Sequence, residues 1–207
     1  SAQTQHLVVD GDETLDFAVV QRQDSFGYFC VIQTPAYLEA GTVLPLTGDD
    51  ASTPVTLPFT FPLYGQNHTT AHVSTNGNIN FLAANTTFGN VAIPATAAPN
   101  GAIYPLWDDL VVDGGGSVRT ATLGSAPNRS FVIEWRDVRF IGDTTQRVDF
   151  EIVLRENGQI LTQYRNISAT VGREQGNLAT LGIENQTGTG AFQYSFNEAG
   201  IQSPTFA

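Results

Sequence analysis

The feature that most constrains this chain is a series of short runs in which apolar and polar residues alternate with a period of two, each bounded by turn residues. In a β-strand successive side chains point to opposite faces, so such a run reads as a half-buried strand. Phe131, Ile133 and Trp135 share one face while Glu134 and Arg136 share the other. Val148 to Ile152 alternates in the same way. Asn157-Gly158 then predicts a tight type I′ hairpin returning into Ile160, Thr162 and Tyr164. Further runs follow at Ala179 to Ile183 and Phe192 to Phe196. No stretch sustains apolar residues at helical spacing over three turns. The expectation is one all-β domain over residues 1–207, a two-sheet, mostly antiparallel β-sandwich of jelly-roll-like form. Residues 1–48 are the hardest to place and are read as an N-terminal extension packed on that sandwich.

The first half is less regular. Val55 to Tyr64 contains Pro58 and Pro62, and proline cannot donate to a ladder, so this run reads as an edge or bulged strand. Asn76-Gly77 is a second hairpin signal. Ala102 to Val112 reads as one strand, followed by Val118 to Leu123 after a triple-glycine turn. Phe26 to Cys30 reads as a strand and Ala36 to Gly41 as one helical turn.

Charge bounds the partners. The net charge is −11, and all nine basic residues are arginine. Phosphate backbones and anionic membrane surfaces repel such a chain, so neither nucleic acid nor membrane is an expected partner. The absence of lysine removes Schiff-base and lysine-base chemistry. Only 14% of residues are charged, against about a quarter in ordinary domains. The single cysteine, Cys30, forbids an intrachain disulfide and is expected to be a small buried apolar residue. No apolar run reaches membrane-spanning length, and no leader peptide is expected at Ser1.

A resemblance joins this reading at Leu57-Pro58-Phe59-Thr60-Phe61-Pro62-Leu63-Tyr64-Gly65. It continues through Val73-Ser74-Thr75-Asn76-Gly77-Asn78-Ile79-Asn80-Phe81 and Ile103-Tyr104-Pro105-Leu106-Trp107-Asp108-Asp109-Leu110. It runs on through Ala126 to Arg129, Phe131 to Trp135 and Glu156-Asn157-Gly158-Gln159-Ile160. This order resembles a β-sandwich module appended to secreted bacterial exoenzymes, notably subtilisin-like peptidases, and to cell-surface proteins. More distantly it is similar to the nidogen-type extracellular domain. The resemblance covers residues 50–196. It implies a secreted or extracellular accessory module without catalytic residues of its own, whose partners are other domains of a parent protein and polysaccharide or extracellular matrix or cell-wall material. A structural spacer and a secreted hydrolase are the alternatives.

Five constellations invite chemistry. No cofactor is expected: Asp108, Asp109 and Asp113 could supply carboxylate oxygens to calcium, the one candidate, but the favoured reading has one aspartate capping a turn and the other solvated. Asp49 and Asp50 form a second acidic pair. Tyr104, Trp107 and Tyr64 could stack on a sugar if exposed. His68 and His72 stand about 13 Å apart along a strand, too far for one zinc ion, and His6 is remote in sequence. Glu134 and Glu151 fall on outward faces, where a solvated role is expected. No nucleophile elbow is present. Asn76, Gly77, Asp108 and Trp135 are read as structural, with the Asn76-Gly77 turn as a source of donors for Asp108. Sequons begin at Asn67, Asn85, Asn128, Asn166 and Asn185, a density that a Thr- and Asn-rich β-protein reaches by chance.

Overall fold

The computed structural model describes residues 22–201 and the backbone of 205–206. His6 lies outside the described residues. Among the described residues thirteen strands follow in chain order. The first six are β1 (Thr42–Val43), β2 (Ser52–Leu63), β3 (Gln66–Ser74), β4 (Ile79–Asn80), β5 (Ala102–Trp107) and β6 (Leu110–Val111). Then come β7 (Ser117–Leu123), β8 (Ser130–Phe140), β9 (Arg147–Arg155), β10 (Ile160–Arg165), β11 (Thr180–Glu184), β12 (Ala191–Phe196) and β13 (Thr205–Phe206). No helix occurs among the described residues, and none is therefore long and apolar enough to cross a membrane.

The strands form two antiparallel sheets. One runs β12-β11-β5-β4-β3-β2; the other runs β1-β7-β8-β9-β10-β13, with β6 also paired to β8. The expected sandwich is present. Its connectivity is closer to two meanders than to a jelly roll, because β2 to β5 and β7 to β10 each pair with their neighbours in sequence. The run 102–112 is not one strand. Its first half belongs to one sheet and its second half to the other, so Asp108-Asp109 marks the crossover.

β2 shows how sequence becomes structure. Val55, Leu57, Phe59, Phe61 and Leu63 alternate into the core. The proline-bearing stretch interrupts the ladder to β3 between Thr56 and Phe61, and β2 is an edge strand, as proline requires. From the other sheet Phe131, Ile133 and Trp135 face the same core. Trp135 stacks on Phe150 at 4.9 Å and donates its indole N–H to the Ser74 carbonyl at the end of β3. The Tyr164 hydroxyl donates to the Pro105 carbonyl. Both polar handles therefore tie one sheet to the other through the core.

The Asn157-Gly158 hairpin forms, but only Gly158 has positive φ, at 88°. The Gly158 amide donates to the Arg155 carbonyl and the Arg155 amide to the Gln159 carbonyl. That is the geometry of a three-residue turn with glycine in the left-handed position, rather than a type I′ turn. Cys30 is exposed rather than buried. The segment Phe26 to Cys30 makes only an isolated bridge, Gln23 to Phe29. Residues 36–40 are extended rather than helical.

Neither outer face is bare. Residues 36–40 cross the outside of the seven-stranded sheet. The amides of Ala36, Leu38 and Ala40 donate to Gln163, Glu151 and Glu134 at 2.6, 3.0 and 2.9 Å. These acceptors sit on β10, β9 and β8 at directly opposed positions, Gln163 against Glu151 and Glu151 against Glu134. Alternate amides of an extended segment thus meet one side chain from each of three adjacent strands. On the other sheet the amides of Ile93 and Ala95 donate in the same way to Gln193 on β12 and Glu184 on β11.

Candidate functional site

The sheet crossover is built by four pieces of chain. Gly77 takes φ of 65° in the turn between β3 and β4, and a Cβ there would stand 2.0 Å from the Leu106 carbonyl oxygen. Only glycine lets the two backbones approach so closely. Beside it the Asn76 carboxamide accepts from the Leu110 amide at 3.0 Å and donates to Asp50 Oδ1 at 2.8 Å. Thr75 holds the loop before β2 by bonding Asp49 and Ala51. Thus the Asn76-Gly77 turn organises the crossover, but through its side chain and a close approach to Leu106, without touching Asp108.

The three strand-end aspartates part company here. Asp108 is buried and takes Arg173 in two hydrogen bonds, Nε to Oδ2 at 3.0 Å and Nη2 to Oδ1 at 2.9 Å. Its Oδ1 also accepts from the Asp109 amide at 2.7 Å. Asp113 is held by both Arg147 nitrogens at 2.9 Å and by Arg139 Nε at 3.0 Å. These hydrogen bonds, the Arg147 pair foremost, hold its carboxyl well below the usual range. Asp108 and Asp113 are thus both engaged by arginine, and of the expected Asp108-Asp109-Asp113 set only Asp109 joins a group of acids close enough to share a cation, which corrects that set.

Asp109 turns instead toward Asp49 and Asp50. One carboxylate oxygen from each lies within 4.8 Å of the others. Burial raises the Asp109 carboxyl above its ordinary value, and the charges of Asp49, Asp50 and Asp108 raise it further against the pull of Arg173. Three carboxylate oxygens at that separation are a donor set a hard cation such as calcium would accept, with water completing its shell. Asp49 and Asp50 are exposed. The sequence supplied both halves of this trio; their meeting required the crossover, which no local pattern announces.

The aromatic residues are placed differently from an exposed platform. Tyr104 and Trp107 stack at 5.0 Å with an interplanar angle of 19°, yet each is only 1% exposed. They share the outer face of β5 because the strand carries an extra residue at Pro105-Leu106 relative to β11, as the pairs Tyr104-Gly182 and Trp107-Thr180 show. The bulge breaks the simple alternation that, in one unbroken strand over 102–112, would put Tyr104 with Leu106 and Trp107 with Asp109. The loop 87–99 covers both rings: Trp107 Nε1 donates to the Thr87 carbonyl, and the Tyr104 hydroxyl bonds the Pro99 carbonyl and Glu184. Tyr64 lies under Phe26 and Tyr28, with its hydroxyl donating to Asp24 at 2.6 Å.

Glu134 and Glu151 are wholly buried, a second correction. They do point out of the sandwich, but residues 36–40 cover them, and that segment lies about a hundred positions earlier in the chain. His68 and His72 lie on β3, with His68 tilted against Phe81 at 4.9 Å. An apolar groove of ≈ 330 Å³ opens between the β10 and β12 sides of the sandwich, with Tyr28, Val31, Ile160 and Ile183 among its walls and Cys30 at its lip. Burial pushes the Cys30 thiol up, which keeps it protonated near neutral pH.

A family model described as NIDO related matches residues 27–207. No curated protein and no solved structure gives a significant match.

Proposed function

The chain belongs to the nidogen-related family, and on that premise we propose that it is a non-catalytic extracellular accessory module that targets or stabilises a larger protein. Polysaccharide and matrix or cell-wall material are its proposed targets, and a secreted exoenzyme or surface protein is its proposed parent. One observation carries this reading. The buried carboxylates serve as braces: Glu134, Glu151 and Glu184 hold backbone amides of covering segments, and Asp108 holds a guanidinium. A general acid or nucleophile must reach substrate, and these carboxylates are buried under other segments of their own chain.

The rival reading, a spacer, draws support from the covering of parts of both outer sheet faces, which leaves loops and edges for contact. Retention of the purified chain on insoluble polysaccharides, collagen-like material and cell-wall preparations, with and without calcium, decides between them. Retention on one of these supports the binding module; retention on none favours the spacer. Turnover on a broad hydrolase panel, lost on substituting one acidic residue, would overturn both.

A further inference from the structure

Residues 36–40 are not part of either sheet, yet they are bound as regularly as a strand. Three side-chain acceptors take three alternate amides, and Leu38 and Ala40 pack on Val132, Val153, Ala121 and Leu161. The segment leads directly into β1, so one end is anchored to β7. The middle acceptor, Glu151, is wholly buried, with Oε1 taking the Leu38 amide at 3.0 Å and the Gln163 carboxamide at 2.7 Å. Its second oxygen, Oε2, is buried with no hydrogen-bond partner among the described residues, and so is the Tyr37 hydroxyl. An ionised carboxylate would leave half its charge on an oxygen that nothing solvates; a protonated one leaves a neutral hydroxyl there.

The surroundings sharpen this asymmetry. Glu134 lies directly opposite on β8, Asp149 two residues away on β9, and Tyr37 and Glu39 on the covering segment. Two guanidiniums serve these groups. Arg136 bonds Glu134 and Glu39, while Arg165 bonds Glu39, lies 3.5 Å from both Glu134 and Asp149, and stacks over Tyr37. Among the charged groups, neither arginine makes a salt bridge to Glu151 among the described residues.

We propose that residues 36–40 form a proton-linked strap, seated on the outer face of the seven-stranded sheet while Glu151 carries a proton and loosened when Glu151 ionises. The direction follows from linkage. Burial, with Glu134 adding to it, pushes the Glu151 carboxyl up to about 7, against the hydrogen bonds from Leu38 and Gln163 and the pull of the Arg165 charge. Releasing the strap readmits water and returns the group toward its ordinary value. The seated state therefore binds more protons, so its advantage is full below the ordinary value and is lost as pH rises to about 7. If release restored the ordinary value completely, the opening equilibrium would grow up to roughly 30-fold between pH 5.5 and 8.

Hydrogen exchange of the intact chain, with intrinsic chemical rates divided out, tests this. Between pH 5.5 and 8 the protection of the Leu38 and Ala40 amides is expected to fall about tenfold or more, while that of Val73 in β3 stays constant. In E151Q, a neutral mimic of the protonated side chain, strap protection is expected to be independent of pH and, at pH 8, to stand about tenfold above that of the parent at pH 5.5, where part of the parent's advantage is already lost. Constant strap protection in the parent chain overturns the proposal, as does an equal loss at Val73 or an unchanged pH dependence in E151Q. If E151Q does not fold, the parent chain decides alone, together with a carbon-13 titration of the Glu151 carboxyl; titration in the ordinary carboxylate range overturns the proposal.

Discussion

Arg173 closes on the Asp108 carboxylate with two hydrogen bonds although 65 residues separate them, and it does so at the point where the chain leaves one sheet for the other. The guanidinium also lies over the Phe140 ring at 4.7 Å. Asp108 and Asp109 are thus unlike neighbours, one neutralised in the interior and one facing other acids. Asp108→Ala leaves a half-buried arginine without its counter-ion and is expected to cost about 2–4 kcal/mol. Asp109→Asn removes a charge that its neighbours oppose and should leave stability unchanged or improved. Urea denaturation of the two variants checks the ranking; equal losses would refute it.

Glycine at the crossover should be irreplaceable. Gly77→Ala combines a positive φ with a Cβ overlapping the Leu106 carbonyl. Backbone must move, and a cost of about 3 kcal/mol or more is expected. Gly158→Ala has a similar φ but meets only Pro62 Cγ at 3.1 Å, so a loss near 1 kcal/mol is expected. Thermal melts of both variants would separate the two effects.

Glu184 anchors the loop over Tyr104 and Trp107, and burial raises its carboxyl. Glu184→Ala leaves the Ala95 amide and the Tyr104 hydroxyl without this partner, for an expected loss of about 1–3 kcal/mol. Because the folded value lies above the ordinary one, the contribution of this ionisation to stability is full at acidic pH and declines as pH rises through the raised value. Trp107 lies under the same loop, so the variant should also show greater quenching of indole fluorescence by acrylamide. Unaltered quenching would mean the loop is held by its other bonds alone.

The Asp49-Asp50-Asp109 trio makes the opposite kind of demand. The raised Asp109 carboxyl reports burial first and repulsion second, and protonation relieves both, so this contribution to stability also falls as pH rises through its raised value. Asp49→Asn should raise the melting temperature at neutral pH. Millimolar calcium should do likewise for the parent chain and much less for the variant. A melting temperature insensitive to calcium in both would leave the trio as mutually repelling surface acids.

Much of the fold was legible because a period of two is a local signal. Phe131, Ile133 and Trp135 announced their own burial, and Asn157-Gly158 fixed which strands are joined. Pro58 and Pro62 announced an edge. What escaped was long-range. Nothing near Glu134 or Glu151 says that residues 36–40 will cover them, although the hairpin register places Glu151 opposite Gln163 and so hints at a polar row. Nothing near Asp108 points to Arg173. The division of 102–112 between two sheets was hidden because both halves are apolar and the crossover itself looks like more strand.

The edges of the two sheets remain. β1 and β13 are two residues long, and β2, the long edge strand, carries Pro54, Pro58 and Pro62 together with an interrupted ladder. A bare edge invites a neighbour's strand to extend the sheet, and short strands, prolines and bulges each frustrate that addition. Where many copies are crowded side by side, a neighbour arriving at these three edges would meet side chains rather than a free backbone ladder, which leaves β12, six residues long and without proline, as the one edge of the described sheets where strand addition is not frustrated in this way.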